Sequence, residues 1–156
     1  MDTLERRDFD SLYREIGPGL WRAIYAYSGG RREIADDAVA EAFARAIEHE
    51  SEIRRFFPWM YRVAFRTAAA ELRRAPNDTF AEEFWEDADN VGDVLRALRE
   101  LSPGQRGAVF LHYHADLPIR EVAKVMGTST AVVKVHLHRG RRRLRELLGD
   151  EEVSDA

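Results

Sequence analysis

Lys134 and His138 stand one helical turn apart, and Arg139, Arg141 and Arg142 follow directly. An ammonium, an imidazole and several guanidinium groups make no covalent catalyst by themselves. They hydrogen-bond to base edges and neutralise phosphates. The charge around them is concentrated. Asp116 to Leu148 holds eight Lys/Arg (Arg120, Lys124, Lys134, Arg139, Arg141, Arg142, Arg143, Arg145) and three acids (Asp116, Glu121, Glu146), a net of +5, whereas the whole chain carries −4. A solvated arginine face on an ordinary amphipathic helix pair would show the same charges; segregation favours a nucleic-acid surface. Other chemistries find less support. Asp36, Asp37 and Glu41 would be the acids of a carboxylate hydrolase, but there is no phosphate-cradling glycine loop, no HExxH and no nucleophile with a base. His112 and His114, like His136 and His138, are two apart, which separates them by about 200° on a helix and prevents convergence on one metal. With no cysteine there is no disulfide and no thiolate site. No cofactor or metal is expected, and no enzyme activity.

The elements that position the basic residues are legible. Ile119, Val122, Ala123 and Met126 fall at helical spacing before Gly127; Val133, Leu137, Gly140 and Leu144 do so after it. Gly127 suits the left-handed backbone that ends a helix, and Ser129 suits the N-cap of the next. Two short helices on a glycine turn form a helix-turn-helix, whose second helix enters the major groove. Val133, Leu137 and Gly140 should then face the core, leaving Thr130, Ala131, Lys134, Val135 and His138 on the reading side. Lys134 suits guanine acceptors, and Ala131 and Val135 suit a thymine methyl. His138 serves equally well as a surface residue touching phosphate. Arg120, Arg139, Arg141 and Arg142 are phosphate candidates, as Ser129 is a contact candidate at the helix start.

The rest of the chain reads as all-α, in two small helical domains joined by an acidic linker. Its 156 residues with 45% hydrophobic content suffice for one ordinary domain or two small ones. In residues 9–75 the stripe Phe9, Leu12, Tyr13, Ile16 is expected to break at Gly17-Pro18-Gly19, with Leu20, Ile24 and Tyr27 on a new helix. Ile34, Ala38, Ala42, Phe43, Ala46 and Ile47 mark a third helix with Asp36 and Asp37 in its first turn. A fourth runs from about Pro58 to Arg74 through Trp59, Tyr61, Val63, Phe65 and Leu72. Residues 76–93 hold seven acids and no Lys or Arg, and read as a linker with a turn at Pro76-Asn77-Asp78 and room for one short helix around Phe84-Trp85. Fully extended, it would span roughly 60 Å at about 3.3 Å per residue. Residues 94–148 hold two further helices, separated at Ser102-Pro103, and the helix-turn-helix; 149–156 is an acidic tail expected to fray. The charged N-terminus has no apolar signal core, and no apolar run nears the roughly eighteen residues of a membrane span, so a cytoplasmic protein is expected.

The order DDAVAEAFARA, PWMYRVAFRTAAAELRR, connector, then LSPGQRGAVFLHYHADLPIREVAKVMGTSTAVVKVHLHRGRRRLREL resembles the extracytoplasmic-function (ECF) group of bacterial sigma factors. The likeness covers residues 9–75 as region two and 94–148 as region four. It implies core RNA polymerase and promoter DNA as partners, an anti-sigma factor as regulator, and no chemistry on the chain itself. It makes Asp36, Asp37, Glu41 and Arg45 the polymerase-binding face, although a solvated face would look alike. It places Arg54, Arg55, Trp59, Arg62 and Arg66 at the -10 element; Trp59 and Tyr61 could stack on unpaired bases, although the core suits Trp59 better, and Arg54 and Arg55 could equally be solvated charges. Arg120, Ser129, Thr130, Ala131, Lys134, Val135, His138, Arg139 and Arg142 fall at the -35 element. Three positions depart from the family pattern. Ala40 stands where a glutamine is common, Arg66 where an asparagine is common, and Ala70 where an acid is common. These departures leave open a sigma-derived regulator that binds DNA or polymerase but no longer melts promoters.

Overall fold

The computed structural model describes residues 2–74 and 92–149, with side chains from Phe9 in the first stretch and from Arg96 in the second. The expected turn at 76–78, the short helix around Phe84-Trp85 and the tail beyond Gly149 lie outside the described residues. All described elements are helical.

Helix α1 spans Asp2–Tyr27 without interruption. The break expected at Gly17-Pro18-Gly19 does not occur; Pro18 sits inside the helix. A helix-interior proline costs about 3 kcal/mol, because it lacks a donor and crowds the carbonyl four residues back. Ile16, Leu20, Ile24 and Tyr27 nevertheless form one buried stripe across it. At about 1.5–3 kcal/mol for each large buried side chain, that stripe outweighs the proline. Helix α2 (Arg32–Glu48) buries Ile34, Ala35, Ala38, Val39, Ala42 and Ala46. It starts early enough that Glu33 is the acid of its first turn, and Asp36 and Asp37 fall one turn further in than expected. A 3₁₀ turn (Glu50–Glu52) leads to α3 (Phe56–Arg74), which starts just before Pro58. Proline is tolerated there because first-turn amides have no intrahelical acceptor. Small alanines on both helices let α2 and α3 pack closely.

The second half begins with α4 (Gly92–Arg99) and α5 (Pro103–Val109). Ser102 caps α5 as expected: its hydroxyl accepts from the Gln105 amide, and the Gln105 side chain accepts from the Ser102 amide, each at 3.2 Å. Ser102→Ala is expected to cost about 0.5–2 kcal/mol in denaturant unfolding, the loss of an N-cap. A π-helical turn (Phe110–His114) follows, closed by the Ala115 amide on the Phe110 carbonyl. The looser turn re-aims the side chains after it. Helix α6 (Ile119–Met126) ends at Gly127, whose φ of 67° is the left-handed cap anticipated from its residue type. Ser129 caps α7 (Thr130–Leu148), accepting from the Val132 amide at 3.2 Å.

Packing joins what the sequence divides. One core cluster contains Leu20, Ile24, Tyr61 and Phe65 of the first half together with Ala108, Leu111, Leu117, Val122 and Val133 of the second. Phe65 sits at the junction, its ring 5.0 Å from Tyr27, 6.2 Å from Tyr61 and 6.2 Å from Phe110. A smaller cluster of Ala97, Leu98, Leu101 and Leu144 fastens α4 to α7. Arg106 is 1% exposed and donates from Nη1 to the Leu101 carbonyl.

Candidate nucleic-acid interface

Helix α7 divides cleanly into two faces. Val133, Leu137, Gly140 and Leu144 are buried. Gly140 permits a close approach to α5: an added Cβ would lie 3.1 Å from Val109 Cγ2. Thr130, Ala131, Lys134, Val135, His138, Arg139 and Arg142 are all exposed, as are Ser129 and Arg120. Arg142 pairs with Glu146 at 3.5 Å, and Arg141 is half-buried. Val132, 41% exposed, joins the open side beside Val135 at 45%. The 100° step of a helix puts Val132 at the edge of the apolar stripe rather than in its centre, so its spacing alone does not mark it as exposed. The outcome is a cationic surface with an apolar centre, suited to phosphates at its margin and base methyls within.

His136 turns away from this surface. Its ring lies 2.7 Å from where a Cβ on Gly104 would sit, so it packs against the start of α5. Burial, and then the Arg139 charge, lower its pKa. His112 Nδ1 lies 2.8 Å from the Leu117 carbonyl oxygen. His114 Nε2 lies 2.9 Å from the Tyr61 hydroxyl, and burial lowers its pKa too. Among the described residues no group of three or more His, Asp or Glu converges on a metal-sized site.

The first half distributes its candidates differently. Arg54 and Arg55 are exposed on the loop before α3, and Arg66 is exposed on α3. Trp59 is half-buried and packs against the main core. Tyr61, 1% exposed, is closed to base stacking in this arrangement, contrary to expectation. Burial pushes its hydroxyl up to about 12. The buried stripe of α3 takes its ring into the shared core, which a single stripe of sequence does not reveal. Arg62 is half-buried, its Nε 3.3 Å from Glu121 Oε2 on α6, out of line for a hydrogen bond. Asp36 and Asp37 are exposed on α2, and Asp36 accepts from the Trp21 indole at 2.8 Å. Arg45 donates to Glu41 at 2.7 Å.

Ala40 on α2, and Arg66 and Ala70 one turn apart on α3, line one groove of about 650 Å³ between the two helices. Asp37, Glu41, Arg45, Glu71 and Arg74 complete its rim. The three positions singled out by the resemblance therefore lie on a single surface.

The two lowered histidines make stability pH-dependent. Each holds fewer protons when folded than when unfolded, so its contribution is complete above its ordinary value of 6.5 and is lost as pH falls below it. A fall in Tm between pH 7.5 and pH 5.5 is expected, and it should be smaller in His114→Gln. An identical slope in the two proteins would remove His114 from the account.

Comparison with known proteins adds to this geometry. Residues 12–76 match the family model for sigma-70 region 2, and residues 92–144 match that for sigma-70 region 4. The ECF RNA polymerase sigma factor BldN of Streptomyces coelicolor is 28% identical over 92% of this chain, which spans 61% of that protein's length. The RNA polymerase sigma-E factor of the same organism is 31% identical over 83% of this chain and 70% of its own length. Among solved structures, the sigma factor RpoE in complex with the anti-sigma factor NepR from Bartonella quintana superposes with a TM-score of 0.65 at 20% identity, covering 91% of this chain and 97% of that one. At that identity the likeness establishes the fold alone. No helix among the described residues is long and apolar enough to cross a membrane.

Proposed function

The chain belongs to the ECF sigma factors, and on that premise we propose that it directs core RNA polymerase to promoters by reading two DNA elements and helping to open the duplex. The observation that carries this reading is the two-faced α7. A buried apolar side fixes the helix, while Lys134, Val135, His138 and Arg139 project together on the exposed side. The -35 element falls to that face, with Arg120, Ser129, Thr130, Ala131 and Arg142 as supporting contacts. The -10 element falls to Arg54, Arg55, Trp59, Arg62 and Arg66. The polymerase-binding face is α2, through Asp36, Asp37, Glu41 and Arg45. The work is non-covalent and belongs in the cytoplasm, where polymerase is. Two small reading units on one chain gain effective concentration, because binding by one brings the other to its site.

An anti-sigma partner is part of the proposal, as in the RpoE–NepR complex. A pull-down from the native host returning only polymerase subunits would count against it. The groove containing Ala40, Arg66 and Ala70 favours a second reading, a regulator that binds without initiating, because three changes fall on one surface. Run-off transcription with purified core polymerase and pooled genomic promoters separates the two. Promoter-specific transcripts support a working initiation factor. Binding to core or to DNA without any transcript supports the regulator, and Arg66→Asn with Ala70→Asp would then be the variant to test for restoration.

A further inference from the structure

Helix α7 carries two exposed valines for which the fold has no use. Val132 is 41% exposed and Val135 45%. Neither joins either apolar cluster of the described residues. Valine is also a poorer helix former than alanine, so neither stabilises α7 from its surface. Counting about 100° per residue from the fully buried Val133, Ala131 and Val135 both fall within about 20° of the direction straight away from the core. Val132 lies beside Val135, since residues three apart on a helix are surface neighbours about 5–6 Å from each other. Ala131, Val132 and Val135 therefore make one apolar strip near the start of the helix. Lys134 and His138 border it on one flank and Arg139 on the other, all exposed.

That border selects the occupant. An apolar protein surface would meet positive charge at both edges of the strip, whereas a DNA duplex brings phosphates to those edges. In the major groove the C5 methyl of thymine is the one apolar group among donors and acceptors. A valine laid on the cytosine amino group or on the guanine acceptors would strip them of water and return no hydrogen bond. The strip thus attracts a thymine and penalises a G·C pair at the same position. Its length fits more than one base. Neighbouring base pairs are stacked about 3.4 Å apart, less than the separation of the two valines.

We propose that Val132 and Val135 are specificity-determining residues that read thymine methyl groups on neighbouring base pairs of the -35 element, so that this part of the element is a run of A·T pairs. The proposal rests on the promoter reading above. It adds which base the helix selects, and by which atom.

The test removes that atom. The protein bound to core polymerase selects duplexes from a random pool. The enriched -35 sequence is then synthesised with uracil in place of thymine, one position at a time. Uracil keeps every hydrogen-bonding group and lacks only the methyl. At one or two neighbouring positions the parent is expected to bind the uracil duplex about fourfold more weakly, the worth of one buried carbon. Val132→Ala with Val135→Ala is expected to bind thymine and uracil duplexes alike, and to melt no lower than the parent. A parent indifferent to uracil at every -35 position overturns the proposal. So does a double variant that still prefers thymine, or one that melts well below the parent, because the valines would then serve the fold. A parent indifferent to uracil whose double variant binds core polymerase more weakly gives the valines to a protein contact instead. Failure to enrich any sequence defeats the promoter reading and this proposal with it. An enriched sequence bound equally well without its methyls defeats this proposal alone.

Discussion

Alanine at both Lys134 and Arg139 is expected to abolish promoter-specific run-off while binding to core polymerase stays at the parent level. Both side chains are exposed on α7 and form no ion pair or hydrogen bond among the described residues, so their loss leaves the fold intact. Lys134 lies near the start of the helix, where base edges are reached. A good base contact is worth about 1–3 kcal/mol, so its removal alone costs roughly 5- to 150-fold at the cognate promoter. Arg139 is assigned to phosphate. Its loss should weaken all sequences alike and reduce the salt slope of binding by about one. The two effects separate in a binding titration against matched and mutated -35 sites at several salt concentrations. Transcription persisting in the double variant would mean that α7 presents a different face to DNA, and Val132 with His138 would be the next pair to test.

Phe65→Ala should produce the largest loss of stability, about 3–5 kcal/mol, the usual range for emptying a buried phenylalanine site. Phe65 is 1% exposed and touches Tyr27 and Tyr61 in the first half and Phe110 in the second. Domains of this size are stable by only about 5–15 kcal/mol, so the loss is a large share. Because the cavity would open at the junction, both halves are expected to unfold together, in one transition displaced to lower denaturant. Two resolved transitions with only one displaced would show that the halves fold independently and that the shared core contributes little.

How far the sequence could be read depends on the range of each signal. Gly127 and Ser129 were legible because a glycine at a left-handed cap and a serine at an N-cap act within one turn of themselves. Ser102-Pro103 was legible for the same reason. The exposed and buried sides of α7 followed from the apolar period, so each proposed -35 residue falls on an open surface. Pro18 does not break the helix as its residue type suggests, because its cost is local whereas its compensation is not: the stripe from Ile16 to Tyr27 is stabilised by helices that follow much later. Tyr61 belongs to the apolar stripe of α3 as expected, and the option of base stacking fails for a related reason. Its position on α3 is visible in sequence, but what covers it is not.

The sequence by itself determined the helices, their caps, the helix-turn-helix and the segregation of positive charge onto its second half. All of these arise between residues a few positions apart, through backbone geometry and helical period. Only the tertiary structure decided that Arg62 lies against Glu121, that Tyr61 meets His114, and that Ala40, Arg66 and Ala70 border one groove. Such pairings depend on which helix faces fit together. That fit is set by the shapes of side chains brought together from across the chain, and no local period encodes it.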